Sequence, residues 1–206
     1  MQKKAKIAVL VSGGGTNLQA LIDAEKNGVI KSGSIRLVIA NNSSAYALTR
    51  AQNDGIKTAV VTKKDCGSQT AFEDELMRKL DNAGIDLIVL AGFLSILSER
   101  FTAHYEKRII NVHPSLIPSF CGAGFYGLKV HEAALEKGVK VTGATVHYVN
   151  EIPDGGEIIL QKAVRVFEGD TPEKLQKRVM RLAEWKILPA ATELVSAEMM
   201  KKSEER

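Results

Sequence analysis

Short apolar, β-branched runs alternate along the chain with amphipathic stretches, the pattern of parallel strands joined by crossover helices. Residues 6–11 predict a first buried strand, and Thr16–Lys26 a helix that turns Leu18, Leu21 and Ile22 to one side. A strand at 35–40, a helix at 45–53 and a strand at 58–62 follow, after which Phe72, Leu76 and Leu80 recur at helical spacing. Residues 86–91 (DLIVLA) are continuously apolar, as in a central strand covered on both faces, and residues 108–113 (RIINVH) predict its neighbour, ended by Pro114.

Beyond Pro114 the pattern changes. Residues 118–128 (PSFCGAGFYGL) turn to glycine and aromatics, which predicts a long loop, with a lid as one use. Two further strands, 141–150 and 157–166, flank Pro153-Asp154-Gly155-Gly156, a turn sequence that predicts a hairpin. Asp170-Thr171-Pro172 offers an N-cap and a proline suited to a first helical turn, opening a helix with Leu175, Val179, Leu182 and Ala183 inward. The fold class is α/β in one domain, without internal repeat or linker.

Composition narrows the classes. With 45% hydrophobic and 25% charged residues over 206, the chain is an ordinary globular protein able to bury one core. No run approaches the roughly 20 apolar residues of a membrane span, and nothing at the start reads as a targeting segment, so a cytoplasmic protein is expected. Two cysteines, Cys66 and Cys121, are too few for a disulfide framework and lack metal-ligand spacing. The formal charge of +4 is carried by Lys3, Lys4 and Lys6 and the tail KKSEER, leaving a neutral body without the basic stripe of a nucleic-acid binder.

Ser12-Gly13-Gly14-Gly15-Thr16-Asn17 sits between a buried strand and a helix, where free N–H groups and the helix dipole favour an anion such as phosphate. Thr16 and Asn17 can cap the helix or bond the ligand, and a plain tight turn is the alternative. The second strand ends in Ala40-Asn41-Asn42 rather than an acid, which argues against a dinucleotide, and no lysine follows the glycines as in a nucleoside triphosphate loop.

Asn111 and His113, two apart on a strand, leave the same face near its carboxyl end, where open α/β sheets bind ligands. A donating amide and a proton-carrying imidazole suit a carbonyl whose oxygen becomes negative; a histidine satisfied in the core is the alternative. If the hairpin folds Asp154 back beside His113, the carboxylate would raise the imidazole pKa and keep an acid available; local bonding in the turn is the alternative. His104, His131 and His147 show no ligand spacing and receive no role, and Trp185 reads as packing.

Together, SGGGTN, AGFLSIL at 91–97, NVHPSLIPSF at 111–120 and GATVHYVNEIPDGG at 143–156 resemble the phosphoribosylglycinamide formyltransferases, over residues 6–194 and in order. The resemblance implies a Rossmann-like formyltransferase fold: a mostly parallel sheet, helices on both faces, and a C-terminal β-hairpin and helix. It implies a single domain over 1–206, with a phosphate-binding half to about 100, a folate and catalytic half over about 101–194, and a charged tail. The implied reaction moves formyl from 10-formyltetrahydrofolate to the amine of glycinamide ribonucleotide, in purine biosynthesis and with no metal. By that likeness Gly15, Thr16 and Asn17 hold the phosphate, and Arg181 and Glu184 contact the same substrate. The folate lies by Leu94, Ser95, Ile96, Leu97, Asn111, Asn150, Glu151, Ile152, Pro153 and Asp154. Asn111 and protonated His113 stabilise the oxyanion, and Asp154 sustains the charge on His113.

Ser95, a position near Gln69, and Trp185 depart from residues that many relatives carry, arginine, arginine and histidine respectively, so the contacts of the folate tail are not implied. The CGAGFYGL stretch is longer than in many relatives. Related readings, a 10-formyltetrahydrofolate hydrolase or a methionyl-tRNA formyltransferase, predict additional domains. A phosphate-binding sensor needs the glycine turn without convergence of Asn111, His113 and Asp154.

Overall fold

The computed structural model describes residues 4–204; Lys3 and the last two residues of the charged tail lie outside them. Seven strands form one sheet: β1 Ala5–Val11, β2 Gly33–Ala40, β3 Lys57–Val60, β4 Leu87–Leu90, β5 Ile109–His113, β6 Val141–Tyr148 and β7 Ile158–Arg165. Their order is β3-β2-β1-β4-β5-β6-β7, with β1 to β5 parallel and β6 antiparallel to both β5 and β7.

Alternation along the central strands feeds two cores. Ile7, Val9 and Val11 of β1 and Leu87 and Val89 of β4 enter one cluster, whereas Ala8, Leu10, Ile88 and Leu90 enter the other. The first is closed by α1 (Thr16–Lys26), which buries Leu18, Leu21 and Ile22 as its periodicity predicts. The second is closed by α4 (Gln69–Asn82) through Phe72, Leu76 and Leu80, and by α5 (Glu99–His104) through Phe101. Short helices α2 (Tyr46–Asn53) and α3 (Lys63–Cys66) lie between them in sequence, and α6 (Leu128–Glu136) leads to β6.

Cap chemistry sets several boundaries. Thr62, expected to end a strand, instead accepts from Asp65 N–H and starts α3, so β3 stops at Val60. Ser68 caps α4 and Ser98 caps α5 in the same way. Thr171 caps α7 (Pro172–Val179), with Pro172 in the first turn.

One inward assignment fails. Leu175, Val179 and Ala183 are fully buried, but Leu182 is 42% exposed. Met180–Glu184 forms a π turn before α8 (Trp185–Glu204). An i→i+5 turn holds one more residue than an α turn, so the inward stripe slips by one position. Ala183 and Glu184 therefore face in, and Leu182 faces out.

The order of strands reverses at the junction of β1 and β4. Crevices at the carboxyl ends of such strands bind ligands because the loops there run in opposite directions. The glycine turn after β1 and Gly92 after β4 meet at this point, with Ser12 N–H bonded to the Gly92 carbonyl at 3.1 Å. The π turn gives a direct test by denaturant unfolding: Leu175→Ala is expected to cost about 2–5 kcal/mol, and Leu182→Ala no more than about 0.5 kcal/mol. Comparable losses at both positions would mean that the slip is absent.

Candidate functional site

The carboxyl end of β5, the loop after it and the turn between β6 and β7 converge around one carboxylate. Asp154 occupies the left-handed region at φ 57°, a conformation that aspartate tolerates better than most residues. Its Oδ2 accepts from Gly122 N–H at 2.9 Å and lies 3.4 Å from His113 Nδ1, and its Oδ1 lies 3.5 Å from His147 Nε2. The fold-back that the turn sequence suggested thus occurs. Burial pushes the Asp154 carboxyl up, but His147, the charge of His113 and the Gly122 amide outweigh it and hold the pKa below the usual range.

His113 is buried, with Nε2 2.8 Å from the Phe120 carbonyl. That carbonyl requires a proton on Nε2, which leaves Nδ1 facing Asp154. Burial lowers the His113 pKa, Asp154 and the Phe120 carbonyl raise it, and the balance is downward. The structure corrects the expectation of a raised pKa: desolvation in this closed corner exceeds the pull of one carboxylate at 3.4 Å.

His147, given no role from the sequence, belongs to the cluster. It pairs directly with Asn111 across the antiparallel β5–β6 register. Its Nδ1 donates to the Tyr148 carbonyl at 2.8 Å, and its Nε2 lies 3.3 Å from Asn111 Nδ2 and 3.5 Å from Asp154 Oδ1. Asn111 keeps its second amide N–H clear of this contact. The sequence signal was present: Thr145 and His147 alternate onto one face of a strand that the hairpin predicts.

Asn111, His113 and Asp154 line a cavity of about 660 Å³ that also receives Asn17, Glu184 and the loop over 122–127. Gly122–Gly127 thus form a wall of the site, and their glycines Gly122, Gly124 and Gly127 adopt positive φ. His131 of α6 lies in the same wall, fully buried with neither ring nitrogen hydrogen-bonded among the described residues, and burial and the proximity of His113 push its pKa down to about 4. A neighbouring recess of about 120 Å³ is lined by Ser95, Ile96, Leu97 and residues 149–154 with Asn111 and His147. Leu94 faces the larger cavity, and Leu94, Ile96 and Ile152 stand exposed as an apolar rim. A wider groove of about 800 Å³ opens at the amino ends of β1, β2 and β3, but it lacks this convergence of buried polar groups.

The backbone near the rim is held by side chains from other elements. Ser12 Oγ accepts from Leu94 N–H, Asn41 Nδ2 donates to Ser95 Oγ, and Gln69 Nε2 donates to the Ile96 carbonyl. Buried Glu73 accepts from Ser98 N–H at 2.7 Å. Gln69 and Ser95 thus serve the loop itself.

The glycine turn departs from one expectation. Neither Thr16 nor Asn17 caps α1; Gly15 is its N-cap at φ 72°, with no side-chain bond. A Cβ on Gly15 would stand 2.6 Å from the Ala47 Cβ, so close packing on α2 also demands glycine there. Arg50, unforeseen from the sequence, donates Nε–H to the Gly14 carbonyl at 2.9 Å. Asn17 instead reaches across to donate to Glu184 Oε2 at 2.8 Å, and its own Oδ1 is buried without a partner among the described residues. Gly15 and Thr16 border the turn, and only Asn17 of the three lines the cavity.

Known proteins resemble this chain over most of its length. Residues 5–192 match the family model described as Formyl transferase. The chain belongs to the formyl transferase family. A trifunctional purine biosynthetic protein, adenosine-3, of Homo sapiens is 45% identical over 95% of this chain, and the chain spans 19% of that relative's length. The phosphoribosylglycinamide formyltransferase of Escherichia coli K12 is 43% identical over 84% of this chain and 79% of its own. The crystal structure of glycinamide ribonucleotide transformylase 1 from Symbiobacterium toebii superposes with a TM-score of 0.88 at 40% identity, covering 95% of this chain and 89% of that one.

Arg181 is not brought to the cavity. The π turn sends it to an exposed face with Lys177 and Trp185, whereas Glu184, three residues on, points inward. No helix is long and apolar enough to cross a membrane among the described residues. Both cysteines are free, and burial followed by the charge of Asp154 pushes the Cys121 thiol up, away from nucleophilic use.

Glu184 carries a pH signature. Burial raises its carboxyl from the usual 4.5 to about 7, against the opposing Asn17 hydrogen bond. The folded chain therefore holds this proton more tightly than the unfolded chain. Its contribution to stability is complete below about 4.5 and is lost as pH rises through about 7. Glu184→Gln should gain on the parent by roughly 2–3 kcal/mol between about pH 4 and about pH 8 in urea unfolding. A difference that does not change with pH would contradict the raised carboxyl.

Proposed function

We propose that this chain transfers the formyl group of 10-formyltetrahydrofolate to the amine of glycinamide ribonucleotide, in purine biosynthesis and in the cytoplasm. The observation that carries the reading is the meeting of Asn111, His113 and Asp154 at the carboxyl end of β5, in a cavity that continues to Asn17 and Glu184. The activity of the Escherichia coli relative supports the same reading. A division of labour follows, with the half to about residue 100 holding the ribonucleotide phosphate and residues 101–194 the folate and the chemistry.

The donor's fused ring would occupy the recess between 95–97 and 150–154, whose apolar rim and backbone polar groups suit a flat heteroaromatic with hydrogen-bonding edges. Leu94 belongs to the rim of this placement. The ribonucleotide would extend toward the glycine turn, its phosphate at the uncapped N-terminus of α1 with Gly15, Thr16 and Asn17, and its hydroxyls near Glu184. Arg181 is left out of this placement.

In the reaction the free amine attacks the formyl carbon, a C–N bond forms, and the carbonyl oxygen becomes an oxyanion. The N–H of Asn111 that does not face His147 would donate to it. His113 rests neutral, and negative charge developing beside it raises its proton affinity, so it serves as a proton carrier rather than a standing cation. A proton leaves the attacking amine, the bond from carbon to the folate nitrogen breaks, and that nitrogen takes up a proton. Asp154 holds the imidazole in register and favours its protonated form while the oxyanion exists.

His113→Ala and Asp154→Asn are each expected to lower kcat by about 10²–10⁴ with the fold retained. The assay follows release of deformylated folate from 10-formylfolate, which should require glycinamide ribonucleotide. Turnover near that of the parent in both variants would remove these side chains from the mechanism. Release without the amine would count against transfer itself.

A further inference from the structure

The outer face of α7 and the π turn carries charge that formyl transfer in the main cavity does not use. Lys174, Lys177, Arg178 and Arg181 line an open pocket of about 450 Å³ with Met180 and the indole of Trp185, and no carboxylate lines it. Residues three and four apart are neighbours on a helix, so these four cations form one cluster. Arg178 is neutralised by Asp170, with 2.6 Å between Nη2 and Oδ1. Lys174, Lys177 and Arg181 are exposed and have no ion-pair partner among the described residues. Glu173, the next acid along, is hydrogen-bonded by Thr171 and feels Lys177 only through the field.

Basic residues gather at helix C-termini because free carbonyls attract them. That account fails here, since the chain continues helically from α7 through the π turn into α8. Three unpaired cations around one concavity repel one another until an anion occupies it. A dianionic phosphate supplies compact charge and several acceptor oxygens. The pocket also shares Met180 with the main cavity, on the side where Asn17 and Glu184 lie.

We propose that this face is a second anion site, which takes a phosphate monoester outside the main cavity and hands the ribonucleotide inward past Met180. The site itself stands apart from the formyl-transfer reading, and only the handing inward rests on it.

Trp185 is the one tryptophan in the 206-residue sequence, so its fluorescence reports from a residue that lines this pocket. The intact chain is titrated with ribose 5-phosphate and with inorganic phosphate, against sodium chloride at matched ionic strength. A saturable change with either phosphate beyond the salt control is expected, weakened about tenfold in Lys174→Gln/Lys177→Gln. Tighter ribose 5-phosphate identifies a sugar phosphate as the ligand; equal affinity identifies the phosphate group alone. No saturable change, or an undiminished change in the double variant, overturns the site.

A kinetic arm reads the handing inward. The same variant should lose about tenfold in kcat/KM for glycinamide ribonucleotide at low salt, with the gap closing as salt rises. A gap that is absent at low salt, or independent of salt, overturns that role. Absence of formyl transfer in the parent would defeat the proposed function while leaving the fluorescence result to judge the site.

Discussion

Asp154 stands where three parts of the chain must agree. Its carboxylate takes an N–H from the loop at Gly122, faces an imidazole from the end of β5 and another from β6, and is carried on the turn of the β6–β7 hairpin. A buried carboxylate without partners is expensive, so the loop cannot leave this position without exposing an uncompensated charge. The left-handed backbone at Asp154 is the conformational cost of aiming the side chain inward from the turn.

This arrangement explains why His113 and Asp154 depart from their exposed values in the same direction. Burial pushes the aspartate up, but His147, His113 and the Gly122 amide outweigh it and hold it below its usual range. The histidine lies below its own because burial disfavours the cation more than one carboxylate favours it. A base that is neutral at rest beside an ionised acid is poised to take a proton when negative charge appears, and this is what amine attack on a formyl group generates.

At the other end of the cavity the fold uses a hydrogen bond across 167 residues of sequence, from Asn17 to Glu184. It ties the start of α1 to the π turn, and the slip in that turn is what turns Glu184 inward and Leu182 and Arg181 outward. One extra residue in a helical turn thus sorts a polar contact for the cavity from a cationic face outside it.

Local sequence was enough to set the elements and the end of the sheet at which polar groups gather. Periods of two and 3.6, caps such as Thr171-Pro172 and turn residues such as Pro153–Gly156 act over a few residues, so they are legible in short stretches of chain. For the same reason the spacing of Asn111 and His113 was sufficient to put them on one face. That His147 joins them depended on the packed fold, because the β5–β6 register follows from how the hairpin docks. The direction of the His113 pKa, the phase of 180–184 and the exposure of Arg181 were settled there too. Burial and long-range register are sums over distant neighbours, and no short stretch of sequence contains them.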